Sequence, residues 1–195
     1  MSPSSRRDEL LVAQQEKKCP SSRRDVVCPS HFHYIRFINS YLVANTYTQL
    51  HHQFVFATQY RNAAIHSSWK EQLHKYITAI VQDHNHKMLQ INTMPDHLHM
   101  LVGLRPIQSV SSLMQIVKSE STKWIRGKKF CSHLFAWQEG YGAFSYSKSE
   151  LPNVILYIQQ QEIHHRKKTF CDEYIHMLIE SGIEFDERYI FKEPI

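Results

Sequence analysis

An α+β fold, with helices packed on one antiparallel sheet, is what the order of elements in this 195-residue chain predicts. Three observations carry the prediction. Apolar residues recur with period two over Thr46–Thr58 and over Asp96–Leu104, the signature of half-buried strands. Segments of helical period separate and follow those strands. Met94-Pro95-Asp96 supplies turn chemistry that joins a short strand, Lys87–Asn92, to the next one as a hairpin. The chain then reads β-α-β-β-α-β-α.

Taken in order, the first strand places Leu50, His52, Phe54 and Phe56 on one face and Val55 and Ala57 on the other. Ser67 or Ser68 is suited to cap a helix running to about His84, with Trp69, Leu73, Tyr76, Ile77, Ile80 and Val81 at helical spacing. After the hairpin, Ser109 and Ser111 offer caps for a helix to about Arg126, with Leu113, Ile116, Val117 and Trp124 facing inward. The glycines and aromatics of Trp137–Ser147 suggest a strand and a loop where backbone comes close. A third helix is expected from Leu151 to about His165, its apolar stripe Leu151, Val154, Ile155 and Ile158. A last helix begins at Thr169 and stops at Gly182.

At this length one domain with a full core is expected. The net charge of +5 is mildly basic, as nucleic-acid binders often are. No apolar run approaches a membrane span and no signal-peptide core is present, so a cytoplasmic protein with reduced thiols at Cys19, Cys28, Cys131 and Cys171 is expected. Residues 1–43 read differently from the rest. They are rich in Ser, Pro, Arg and Gln and contain Pro3–Asp8 again as Pro20–Asp25. Their seven basic and four acidic residues account for more than half of the net charge. The expectation is a disordered extension over 1–43 followed by a domain over 44–195. Val43 is how an internal GTG start codon would be translated, so the true protein is expected to start there as methionine, with translated upstream DNA before it.

The chemistry centres on Met94–Leu104. Strand alternation puts His97, His99 and Leu101 on one face, and Leu98, Met100 and Val102 on the other. Same-face neighbours lie roughly 7 Å apart along a strand, close enough for two imidazoles to converge on one divalent ion. The pair is expected at a mouth near solvent, contributing little to the core. His-x-His also occurs at His31/His33 and His84/His86, outside any strong apolar strand, and such a pair alone is usually two ordinary histidines. Lys118, Lys123, Arg126, Lys128 and Lys129 cluster near the end of the second helix, where they suit phosphates or simply a solvated face. On the third helix Tyr157 and Gln161 are four residues apart and so neighbours on one face.

Asp96-His97-Leu98-His99-Met100-Leu101, together with Tyr157-Ile158-Gln159-Gln160-Gln161, resembles the single-tyrosine HUH transposases of the insertion-sequence 200/605 type and their repeat-associated relatives. HUH denotes histidine, hydrophobic residue, histidine. The blocks Asn45–Gln49, Phe54–Arg61 and Trp137–Ser145 look like the family too, in the right order from Ala44 onward. The resemblance implies a ferredoxin-like fold and a homodimer whose active sites are shared between subunits. It implies cutting and rejoining of single-stranded DNA, recognised through hairpins at element ends. His97, His99 and Gln161 would hold Mg²⁺ or Mn²⁺, and Tyr157 would be the nucleophile of a 5′-phosphotyrosine intermediate. Tyr141 and Tyr146 are rival nucleophiles, but neither lies four residues before a glutamine on a helix.

Two other functions compete. A catalytically silent DNA-hairpin-binding relative would be expected to have lost one of His97, His99, Tyr157 or Gln161, and all four are present. A metal-dependent phosphohydrolase would favour more carboxylates for a hard ion, and Asp96 is the one near the histidines.

Overall fold

The computed structural model describes residues 47–131 and 134–190. The expected extension over 1–43, with its Val43 start, lies outside them. The sheet contains β1 (Leu50–Ala57), β2 (Lys87–Thr93), β3 (His97–Leu104) and β4 (Gly142–Ser145), in the order β2-β3-β1-β4. Every pairing is antiparallel. Helices α1 (Ser67–Asp83) and α2 (Val110–Lys128) make the two long connections. The resulting β-α-β-β-α-β unit is the ferredoxin-like plan. Four further helices follow β4: α3 (Leu151–Gln159), α4 (Gln161–His164), α5 (Phe170–Glu180) and α6 (Glu187–Ile190). No helix among the described residues is long and apolar enough to cross a membrane.

Strand alternation divides the packing. Phe54 and Phe56 of β1 and Leu98, Met100 and Val102 of β3 point to the face covered by α1 and α2. There they meet Trp69, Leu73 and Ile77 of α1 and Leu113, Val117 and Ile125 of α2. Each such side chain, fully removed from water, stabilises the fold by about 1.5–3 kcal/mol before entropy is counted. The opposite face is covered as well. Leu101 packs on Val154 and Ile158 of α3, while Val55, Ala57 and Phe144 pack on Phe170, Met177 and Leu178 of α5. Gly142 is required where β4 meets α5, because a Cβ there would lie 2.9 Å from the Tyr174 ring. Gly182 ends the α5 segment at φ +63°, a conformation glycine adopts freely.

Several local features differ from the sequence reading. The first strand is shorter, starting at Leu50. The N-cap of α1 is His66, whose Nδ1 accepts from the Ser68 amide, so an imidazole takes the role expected of Ser67 or Ser68. The third helix does not run unbroken to His165: Gln160, at φ −93° and ψ 16°, separates α3 from α4. Its carbonyl ends are taken up across the sheet, where the Asn92 amide donates to the Ile158 carbonyl at 2.8 Å. The histidine pair is not near solvent. His97 is 1% and His99 0% exposed, because α5 lies over the face they occupy.

Two stability predictions arise here. Asn92→Ala removes a buried donor to the end of α3 and is expected to cost about 1–2 kcal/mol, read as a lower urea midpoint with unchanged slope. His74 on α1 is half-buried beside the Thr93 hydroxyl, with Nε2 at 3.0 Å. Burial, helped by Lys70 and opposed by Glu71, holds its pKa down to about 4. The unfolded chain therefore takes up this proton first as pH falls. The stability it allows at neutral pH is lost from about 6.5 toward 4. His74→Gln is expected to flatten that part of the acid limb in chemical denaturation series.

Candidate metal and nucleophile site

The face of β3 that carries His97 and His99 lies against β1 through Ala57↔His97 and Val55↔His99. Small or branched neighbours there leave room for imidazoles. The rings stand edge to face, centroids 5.2 Å apart, and His97 stacks on Phe170 of α5 at 3.9 Å. Two further residues reach the same point. His165 follows α4, and its Nε2 lies 3.0 Å from His97 Nε2. Glu173 of α5 brings Oε2 to 2.9 Å from His165 Nε2 and 3.7 Å from His99 Nε2. One ligand atom from each of His97, His99, His165 and Glu173 lies within 4.8 Å of the others.

The tautomers show what such a cluster lacks. His97 Nδ1 donates to Asp96 Oδ1 at 2.7 Å. Burial pulls the Asp96 carboxyl upward, but that hydrogen bond and the imidazole's charge outweigh it and leave the pKa below the ordinary value. His165 Nδ1 donates to the Lys168 carbonyl at 3.1 Å. With Nδ1 protonated, a neutral ring would turn a lone pair at Nε2 toward the cluster, although His165 Nε2 also meets the acceptors Gln161 Oε1 at 2.8 Å and Glu173 Oε2 at 2.9 Å. His99 Nδ1 meets the Gln53 amide at 2.9 Å; turning that amide over would let Oε1 accept from Nδ1–H and bare Nε2 in the same way. His99 Nε2 is buried without a hydrogen-bond partner, and Glu173 Oε2 has only imidazole nitrogens near it. Lone pairs converging in a dry place repel unless a proton or a cation joins them.

Burial and the charge of Asp96 push the Glu173 carboxyl up to about 8, the response of a carboxylate that must otherwise take a proton. Burial and His97 hold His165 down to about 4, and burial, with the neighbouring imidazoles, holds His99 well below its usual value. A divalent cation would satisfy all four groups at once, and imidazoles anchored through Nδ1 are the usual form of metal-binding histidine. The residues present therefore fit a metal.

The nucleophile candidate adjoins this cluster. Tyr157 points from α3 with its hydroxyl donating to Glu173 Oε1, and its ring centroid is 6.1 Å from that of His99. Gln161, fully buried, donates to the same Oε1 at 3.0 Å, while its own Oε1 lies 2.8 Å from His165 Nε2. A cleft of about 320 Å³ opens beside Tyr157, bordered by Tyr146, Asn153, His164, Lys168 and Glu173. Tyr146 also lines this cleft, whereas Tyr141 packs edge-on against Phe54 at 6.3 Å, within the α1–α2 side.

One chain thus brings His97, His99, Tyr157 and Gln161 together. The basic cluster of α2 lies elsewhere and divides. Lys118 donates to the Gln138 and Gly140 carbonyls, the latter at 2.7 Å, and Arg126 Nε donates to the Phe135 carbonyl at 2.8 Å. Lys123 is exposed and paired with Glu120, and Lys128 and Lys129 face solvent. Sequence reasoning missed His165 and Glu173, although both left a trace. His165 falls four residues after Gln161, and Glu173 occupies a position of the apolar stripe otherwise held by Phe170 and Met177.

The family model described as "Transposase IS200 like" matches residues 46–161, more than half of the chain. The chain belongs to this family. Its matched segment begins just before β1, contains the histidine strand and ends on Gln161, so His165 and Glu173 lie beyond it. Among curated members, the transposase for insertion sequence element IS200 of Salmonella typhimurium is 29% identical over 80 residues, 41% of this chain and 53% of that protein. Its Salmonella typhi counterpart matches equally. The chain spans about half the length of these curated relatives. A REP-associated tyrosine transposase solved with a REP hairpin is 15% identical, with a TM-score of 0.49 over 78% of this chain and 92% of that one. A candidate transposase from Deinococcus radiodurans is 19% identical, with a TM-score of 0.50 over 60% of this chain and 95% of that one. The latter likeness is one of fold, and it bears out the ferredoxin-like expectation for an IS200-like transposase.

Proposed function

We propose that this IS200-like transposase cuts and rejoins single-stranded DNA at the ends of an insertion element, using Tyr157 as nucleophile and a divalent metal ion. The observation that carries the reading is the meeting of ligand atoms from His97, His99, His165 and Glu173 within 4.8 Å of one another, with the Tyr157 hydroxyl bonded to the Glu173 carboxyl. A cation held there, Mg²⁺ or Mn²⁺ by the resemblance, would polarise a non-bridging phosphate oxygen and offset transition-state charge.

The chain's own residues do the rest. The Tyr157 oxygen forms a bond to phosphorus as the bond to the 3′ oxygen breaks, leaving a 5′-phosphotyrosine and a free 3′-hydroxyl. Glu173 Oε1, which already accepts the Tyr157 hydrogen bond, is the nearest acceptor for the departing proton. Gln161 steadies that carboxylate. The covalent bond preserves the phosphodiester energy, so a later 3′-hydroxyl reverses the step without ATP. DNA hairpins are the recognised partner, with exposed Lys123, Lys128 and Lys129 better placed for phosphates than Lys118 and Arg126, whose donors serve the fold.

The assembly follows from the same geometry. A homodimer with exchanged tyrosine helices, as the resemblance implies, predicts that a Tyr157→Phe chain mixed with a His97→Ala chain regains part of the activity. A site built within one chain predicts none. We favour the second, because Tyr157 reaches a carboxylate of its own chain. Recovery of activity in proven heterodimers would reverse that choice.

The decisive experiment incubates the protein with single-stranded DNA from the element ends and a divalent metal, then searches for a denaturation-resistant adduct. A 5′-phosphate ester on Tyr157 is expected by mass spectrometry. Hairpin binding without an adduct would instead indicate a silent relative. Cut DNA with free 5′-phosphates would indicate a phosphohydrolase.

A further inference from the structure

We infer that the metal centre is completed from outside the family segment: His165 and Glu173 ligate the ion alongside His97 and His99, and this set takes a borderline first-row cation such as Fe²⁺, Co²⁺ or Zn²⁺ in preference to Mg²⁺. The inference rests on the metal-dependent reading above and deepens it by naming the ligands and the class of ion.

Four observations support it. First, the matched family segment ends at Gln161, and the cluster does not. His97 Nε2 and His165 Nε2 approach to 3.0 Å, each with its Nδ1 proton already donated, to Asp96 and to the Lys168 carbonyl. A proton or a shared cation must join nitrogens at that distance, and the same point is approached by Gln161 Oε1 and Glu173 Oε2, 2.8 and 2.9 Å from His165 Nε2. Second, the outer partners are of the kind that orients metal-binding imidazoles, a carboxylate for one ring and a backbone carbonyl for the other.

Third, the site is dry. His97, His99 and Glu173 are no more than 2% exposed. A doubly charged ion among neutral ligands alone would be costly to bring there, whereas the Glu173 carboxylate offsets one charge locally. Oε2 is the oxygen turned toward the imidazoles, 2.9 Å from His165 Nε2 and 3.7 Å from His99 Nε2, while Tyr157 and Gln161 both bond Oε1. Fourth, the donor set decides the ion. Mg²⁺ prefers oxygen ligands and keeps its waters, while imidazole favours the later first-row divalent ions. Three imidazoles and one carboxylate oxygen make a nitrogen-rich set. Gln161 then acts as a positioning residue, holding the carboxylate through its Nε2 rather than serving as the third ligand.

Metal binding itself provides the test, with no DNA present. The chelator-stripped protein is titrated with Co²⁺, followed by its visible absorption and by equilibrium dialysis. One Co²⁺ per chain is expected, with bands that a large excess of Mg²⁺ does not bleach. Glu173→Gln and His165→Ala should each weaken Co²⁺ binding by about tenfold or more. Tyr157→Phe should leave it unchanged. Glu173→Gln is nearly isosteric, and melting without metal checks that the variants fold. The rise in melting temperature caused by Co²⁺ should shrink in both.

Unchanged Co²⁺ affinity in folded Glu173→Gln and His165→Ala, with a loss of tenfold or more in Gln161→Ala, would overturn the inference in favour of His97, His99 and Gln161. Displacement of Co²⁺ by equimolar Mg²⁺ would overturn the choice of ion. Tight Co²⁺ binding by the expected four residues without any DNA adduct would leave this inference standing and defeat the strand-transfer reading. The two failures are therefore distinguishable.

Discussion

Replacing Tyr157 by phenylalanine is expected to abolish the covalent protein–DNA adduct completely while leaving hairpin binding within a few-fold. The substitution removes a single oxygen, and that oxygen is the one that would bond to phosphorus. The ring stays against His99 and His164, with centroids 6.1 Å and 5.2 Å away. Glu173 Oε1 keeps its hydrogen bond from Gln161, so it is not orphaned. The stability cost should be about 1 kcal/mol, that of one lost hydrogen bond. An adduct persisting in the variant would sink the assignment, and peptide mapping would then point to Tyr146, which lines the same cleft.

The second large effect is expected from His99→Ala. Under the proposed mechanism His99 would hold the ion that polarises the phosphate, so its loss should slow DNA cleavage by about a thousandfold or more, since such stabilisation is worth several kcal/mol. Unlike a solvent-facing ligand, His99 is fully buried, and its removal leaves a cavity beside β1 and strands the Gln53 amide. Stability should therefore fall by about 1–3 kcal/mol. Single-turnover cleavage at a temperature well below the variant's melting point separates the two losses. Cleavage at the wild-type rate in folded His99→Ala would remove this histidine from the metal site.

The sheet and its two long helices were legible because their signals are local. Period-two strands, helical stripes and the Met94-Pro95-Asp96 turn each act within a few residues. Helix ends were less legible, since the competition is decided elsewhere. An imidazole at position 66 outdid two serines as a cap, and a side chain from β2 helped to end α3 before Gln160. The histidine strand was readable from alternation, including which residues share its face. Its burial was not, because the covering helix lies more than sixty residues later in the chain. Glu173 escaped for the same reason. A glutamate in an apolar stripe becomes meaningful only once the three imidazoles opposite it are known.

β3 gives consecutive residues to two different tasks. Leu98, Met100 and Val102 belong to the core beneath α1 and α2, while His97 and His99 face His165 and Glu173. The two sets share a backbone and lie against opposite layers, α1 and α2 on one side and α5 on the other. A change at an even position is read in folding alone, whereas a change at 97 or 99, both buried, is read in folding and in the candidate site together. The alternation of a single strand thus sets the framework of the fold and its candidate site back to back, one residue apart.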